Sequence, residues 1–199
     1  MTQTPASPPE LKTLLHGYLK AARSTLLWKL DGLSEFDVRR PLTPTGTNLL
    51  GVVKHVASVE LGYLGEVFGR PSSIQLPWFA QDAPDNADMW APADQSRADI
   101  IGLYHASWTH GDAVIEELPL DARGEVPWWA AGTRTVSLEQ ILVHLIAETN
   151  RHCGHADIVR ELIDGAVGYR EGNTNLPTTS EDYWPSYAAQ LQAVAEQFR

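Results

Sequence analysis

The hydrophobic positions of this chain fall into four long stretches of helical period, separated by segments rich in proline and glycine. In the first, starting near Pro9, Leu11, Leu14, Leu15, Tyr18, Ala22, Leu26 and Leu30 recur every three or four residues, with Lys12, Lys20, Arg23 and Lys29 mostly opposite. That is the spacing of an amphipathic helix, and Gly32 ends it. The second opens at Thr47 or Asn48, both good N-caps. It runs to about Phe68 on Leu49, Val52, Val53, Val56, Val59, Tyr63 and Val67, and stops at Gly69-Arg70-Pro71. The third extends from near Asp94 to about Leu118, with a seam of Ile100, Leu103, Tyr104, Ser107, Trp108, Gly111, Val114, Ile115 and Leu118. The fourth begins at Ser137, which with Gln140 fits a capping box, and reaches Asp164 with Gly165 as its C-cap. Residues 180–198 are weakly amphipathic and predict a last helix, packed outside the bundle or against a partner.

The connectors change this picture in one respect. Residues 69–93 hold four prolines, three aspartates and the aromatics Trp78, Phe79 and Trp90. Loops beyond about 12–15 residues in compact domains are usually functional or demanded by topology. A crossover between two parallel helices of about 20 residues must travel roughly 30 Å, which this segment spans. Residues 33–46 read as a connector, and 119–135, with Pro127-Trp128-Trp129, as a short hairpin or a plain loop. Residues 1–8 read as a flexible lead-in. The expected architecture is all-α: a helical bundle forming a single domain over 1–199, with 169–199 as a helical extension. Trp78, Trp90, Trp128 and Trp129 stand on the two long loops. They are candidate pocket walls, or simply core and interface aromatics.

Composition narrows the function classes. At 199 residues, with 43% hydrophobic and 20% charged positions, the chain is long enough to fold without a metal or disulfide to staple it. Its net charge is −10 and it has no basic cluster, which argues against nucleic acid as a partner. No apolar run approaches the length that spans a bilayer. The opening MTQTPASPPE has neither a basic n-region nor an apolar h-region, so no signal peptide is expected. The single cysteine, Cys153, suits a reducing compartment. A cytoplasmic protein is the simplest reading.

Candidate chemistry concentrates on the fourth helix. Three of the seven histidines, His144, His152 and His155, stand there with Glu148. Ile141, Leu145, Glu148, His152, Ala156 or His155, Val159 and Leu162 or Ile163 alternate by threes and fours as a core seam, which Glu148 and His152 interrupt. A carboxylate in a helical core costs several kcal/mol unless it is paired or metal-bound. The i, i+4 spacing lets both side chains reach one ion, and His55, on the buried side of the second helix, is the third donor available. Bundles build metal sites in this way. The alternative is that Glu148 pairs with Arg151 or Arg160 while His152 merely bonds Glu148. His155, and behind it His144, is a fourth ligand or an orienting partner. Cys153 lies one residue off the seam, and His105 and His110 lie off that of the third helix.

Two runs, TNLLGVVKHVASVELGYLGEVFG and HLIAETNRHCGHADIVRELIDGAVG, resemble the DinB-like metalloprotein superfamily. They are most similar to its actinobacterial branch of mycothiol-dependent maleylpyruvate isomerases and mycothiol S-transferases, and the likeness runs from the first helix through Gly168. The resemblance implies a four-helix bundle of up-down-down-up topology, with the long crossover between helices two and three, and a homodimer. It also implies a divalent metal, zinc, on His55, Glu148 and His152. Many relatives carry His where this chain has Glu148, and Gln where it has His155; the His, Glu, His set is that of the isomerases. The implied activity is that of an enzyme activating mycothiol for attack on a small electrophile, as transferase or isomerase. Against it stand a metal-dependent hydrolase or iron(II) oxygenase and a non-catalytic, stress-related metal-binding bundle.

Overall fold

Four long helices carry the structure, a computed structural model that describes residues 10–178, 180 and 182–199. They are α1 (Leu11–Trp28), α3 (Leu49–Leu64), α4 (Arg97–Glu117) and α5 (Leu138–Asp164), with a short α2 (Glu35–Arg39) after α1 and α6 (Tyr183–Ala195) near the C-terminus. Helix α3 packs against α4 and α5, and α1 packs against α5. The all-α bundle expected from the periodicity is therefore present. The lead-in expected over residues 1–8, and the helix start at Pro9, lie outside the described residues. Two compact units are distinguished, residues 1–166 and 167–199. In the second, α6 is followed by a single 3₁₀ turn, Glu196–Phe198.

Local signals set the helix ends. Asn48 caps α3 by accepting from the Gly51 amide, and Ser137 caps α5 by accepting from that of Gln140. Gly165 closes α5 in the left-handed conformation, φ 77°, which L side chains rarely adopt. A reciprocal box between Ser96 and Asp99 opens α4, two residues beyond the expected Asp94. Ser34 likewise caps α2 inside the segment read as a connector. The second irregular segment holds a hairpin: β1 (Arg123–Glu125) pairs antiparallel with β2 (Thr135–Ser137), Gly124 opposite Val136.

Several positions differ from the periodic reading. On α1, Leu19, Ala22, Arg23 and Leu26 are buried, whereas Leu11, Leu14 and Tyr18 are exposed. At 100° per residue the exposed three sit roughly 80–140° round the axis from Leu19, so the apparent seam merged two stripes. Arg23 and Lys29, expected on the polar side, are buried. Each is ion-paired there, Arg23 with Glu60 at 2.9 Å and Lys29 with Asp157 at 2.6 Å, as a buried charge requires. On α5, which lies against both α1 and α3, the buried face is wider than one seam. Thr149, Cys153 and Arg160 belong to it, while Leu162 is exposed.

The crossover after α3 is fastened to α3 by its backbone. The Lys54 ammonium donates to the Ala87 and Trp90 carbonyls, both at 2.9 Å, and the Asn48 amide to that of Met89 at 3.1 Å. A Cβ at Gly51 would fall 1.8 Å from the Met89 oxygen, so only glycine admits this approach. Residues 87–90 are thereby held over the second turn of α3, with Asp88 facing His55.

Candidate metal centre

On α5 the two apolar clusters of the bundle meet around Glu148 and His152: Leu145 belongs to one and Cys153 to the other. His55 projects from α3 toward the same point. One ligand-type atom from each of the three lies within 4.8 Å of the others. The Glu148 Oε1 atom is 3.0 Å from Nε2 of His152 and 3.6 Å from Nε2 of His55. His152 is buried, whereas Glu148 and His55 are half-buried. Glu148 thus faces a cavity rather than the closed core read from its seam position.

The neighbours of the triad fix its protonation. Nδ1 of His55 lies 2.6 Å from the Asp88 carboxylate; donating there leaves the Nε2 lone pair turned toward Glu148, the usual arrangement behind a metal-binding histidine. Burial works to raise the Glu148 carboxyl, but its interactions with His152 first and His55 second outweigh it and hold it below its ordinary value. Burial first, and His55 second, push the His152 imidazole down against the pull of Glu148. An ionised carboxylate and a neutral imidazole are the forms that bind metals. Two imidazoles, one carboxylate and one preset tautomer fit a divalent transition ion. The alternative partner Arg160 instead bonds Asp164 and the Lys29 carbonyl.

A cavity of about 670 Å³ opens above the triad, with His55 and Glu148 in its wall. Its sides are mostly apolar: Val59 and Tyr63 from α3, Leu76 and Phe79 from the crossover, and Trp128 from the hairpin loop. Ser58, Glu66 and His144 supply the polar points. The tryptophans divide. Trp128 lines this cavity, and Trp129 stands behind it, donating to the Tyr63 hydroxyl at 2.8 Å. Trp78 and Trp90 line a separate, more open groove beside Lys54. His144 packs against Tyr63 and Trp129, with centroids 4.7 and 5.3 Å away. His155 places Nδ1 3.4 Å from Nδ1 of His152. His110 bonds the Arg70 carbonyl at 2.8 Å, and its ring takes no part in the cavity wall.

The roles of two residues of this site are not announced by the sequence pattern. Asp88 is one of three aspartates in the crossover, and a loop has no period to say which of them returns to the bundle. Tyr63 sits on an apolar stripe and reads as core. Cys153 is buried, with its thiol directed at the Ala22 carbonyl, and burial pushes that thiol up to about 12.

A family model described as mycothiol-S-transferase (MST) matches residues 14–165. Among solved structures the chain is similar to one described as the conserved protein of locus from Enterococcus faecalis. The two are 16% identical with a TM-score of 0.56, over 80% of this chain and 100% of that one; at that identity the likeness is one of fold. No curated protein matches this chain.

Proposed function

The chain belongs to the mycothiol-S-transferase family, and from that premise we propose that it is a metal-dependent S-transferase acting with a low-molecular-weight thiol such as mycothiol on a small electrophile. The observation that carries this reading is the convergence of His55, Glu148 and His152 at the base of an apolar cavity. These three residues would hold the ion, for which zinc suits the donor set. When bound, such an ion supplies a Lewis acid that keeps a coordinated thiol deprotonated at neutral pH.

The remaining steps fall to the chain itself. Asp88 holds the His55 ring so that Nε2 faces Glu148, and His155 steadies His152 from its other nitrogen. The apolar wall excludes water from the attacking sulfur and seats the electrophile. The protein's one cysteine stays a buried thiol, which favours a nucleophile brought in from solution. No helix among the described residues is long and apolar enough to cross a membrane. A cytoplasmic setting, where small thiols stay reduced, suits the reading.

The test is direct. Purified protein is expected to hold about one metal ion per chain and to join mycothiol to chlorodinitrobenzene with loss of chloride. Turnover of esters or amides without any thiol would mark a hydrolase instead, and bound metal without turnover a non-catalytic bundle. Asp88→Asn keeps the shape but loses the charge behind His55. It is expected to weaken metal affinity about 10–100-fold, read by competition with a chromogenic chelator. An unchanged affinity would show that Asp88 only fastens the crossover.

A further inference from the structure

Tyr63 is held in an unusual hydrogen-bonding state. Its phenol oxygen accepts from two indoles, Trp128 Nε1 at 3.2 Å and Trp129 Nε1 at 2.8 Å. An indole N–H only donates, and a phenol oxygen offers two acceptor sites beside its own proton. Both acceptor sites are therefore taken, and the hydroxyl can act only as a donor. Among the described residues no acceptor for that proton stands within bonding distance; the phenol ring is buried, and Tyr63 lines the cavity beside Trp128 and His144. The ring is fixed as well, since Trp128, Trp129 and His144 pack around it with centroids 4.7 to 6.0 Å away.

Tyr63 also stands at a useful distance. It follows His55 by eight residues on α3, roughly 12 Å along the axis, and both residues line the same cavity. A small molecule can lie between a sulfur held at the triad and the Tyr63 hydroxyl. The walls there are apolar, and none of the lining residues is a lysine or arginine.

We propose that Tyr63 is a preset hydrogen-bond donor to the electrophile, and that the cavity takes an uncharged conjugated carbonyl compound whose oxygen meets that hydroxyl. This rests on the S-transferase reading given above. In the step it serves, the thiolate sulfur forms a bond to the β-carbon and the C=C π pair moves to leave charge on the carbonyl oxygen. Tyr63 donates to that oxygen as the charge develops. The proton released when the thiol ionised is returned, through water, to the α-carbon, so the product is the saturated thioether ketone and no oxidant or reductant is needed. A donor oriented in advance toward developing charge in a water-poor site favours the transition state over the ground state.

Tyr63→Phe tests this on two readouts. Without thiol, binding of benzylideneacetone is followed by quenching of tryptophan fluorescence. The variant is expected to weaken it about 5-fold, while the hydrocarbon analogue lacking the oxygen binds as before. With mycothiol, kcat for the enone is expected to fall roughly 100-fold, while conjugation of benzyl chloride, which has no acceptor oxygen, stays within about 2-fold. Equal losses on enone and benzyl chloride, or no loss on either, would overturn the role of Tyr63 and leave the transferase reading standing. A Tyr63-dependent difference in ketone binding without thiol turnover would uphold the donor and overturn the transferase reading.

Discussion

Glu148→Ala is expected to empty the metal centre. Of the three donors it is the one that lies within reach of both the others, 3.0 Å from His152 and 3.6 Å from His55. Its loss leaves two imidazoles and no carboxylate to bind a divalent ion directly. Changes to groups that only orient a ligand cost about 10–100-fold in affinity, so loss of a ligand itself should exceed roughly 100-fold. Metal analysis after dialysis should find the variant free of metal, and thiol conjugation should fall with it. The fold should survive, because the Glu148 side chain is 27% exposed on a cavity wall; the variant should melt near the metal-stripped parent. Glu148→His returns a donor to the same point and should keep the ion. Full metal content in Glu148→Ala would remove Glu148 from the ligand set.

Glu60→Ala is expected to cause the largest loss of stability. Arg23 and Glu60 are each 1% exposed and joined by two hydrogen bonds, Nε to Oε2 at 2.9 Å and Nη2 to Oε1 at 3.0 Å. Removing one partner of a buried pair leaves the other charge uncompensated, at about 3–5 kcal/mol. For a chain of this size that lowers Tm by on the order of 10 °C, measurable by thermal and urea denaturation. A loss below about 1 kcal/mol would mean that Asp112, which also accepts from Arg23, carries the guanidinium alone. The two carboxylates of this network respond to pH in opposite senses: burial pushes Glu60 up to about 7, so the acid-sensitive contribution comes from Asp112. Burial works to raise the Asp112 carboxyl, yet hydrogen bonds from Arg23 and His16 hold it below its ordinary 3.8. A depressed carboxylate contributes stability that is present above that ordinary value. It is lost as pH falls through the lowered one.

The Arg23–Glu60 pair also shows where reading along the chain stops. Arg23 on its helix pattern reads as a polar-face residue, and Glu60 attracts no notice among the valines and leucines of α3. Their partnership spans 37 positions, and nothing local in either segment announces it. Glu148 and His152 were legible for the opposite reason. They break an apolar stripe on one helix, and i, i+4 spacing is a property of that helix alone. His55 needed an inference across helices, though its place on the buried side of α3 made it available.

The elements follow the same division. Periodicity, capping side chains and glycine at helix ends are short-range effects, governed by sterics and hydrogen bonds within a few residues, so the four long helices and the three candidate ligands could be read from the chain alone, His55 by its place on the buried side of its helix. Which stripe of α1 is buried, which charges go inside, which crossover aspartate stands behind His55, and which aromatics wall the cavity depend on packing between distant segments. There a partner is chosen by shape and charge in three dimensions, and Asp88, Trp128 and the doubly bonded Tyr63 acquire their chemistry only from the neighbours the folded chain supplies.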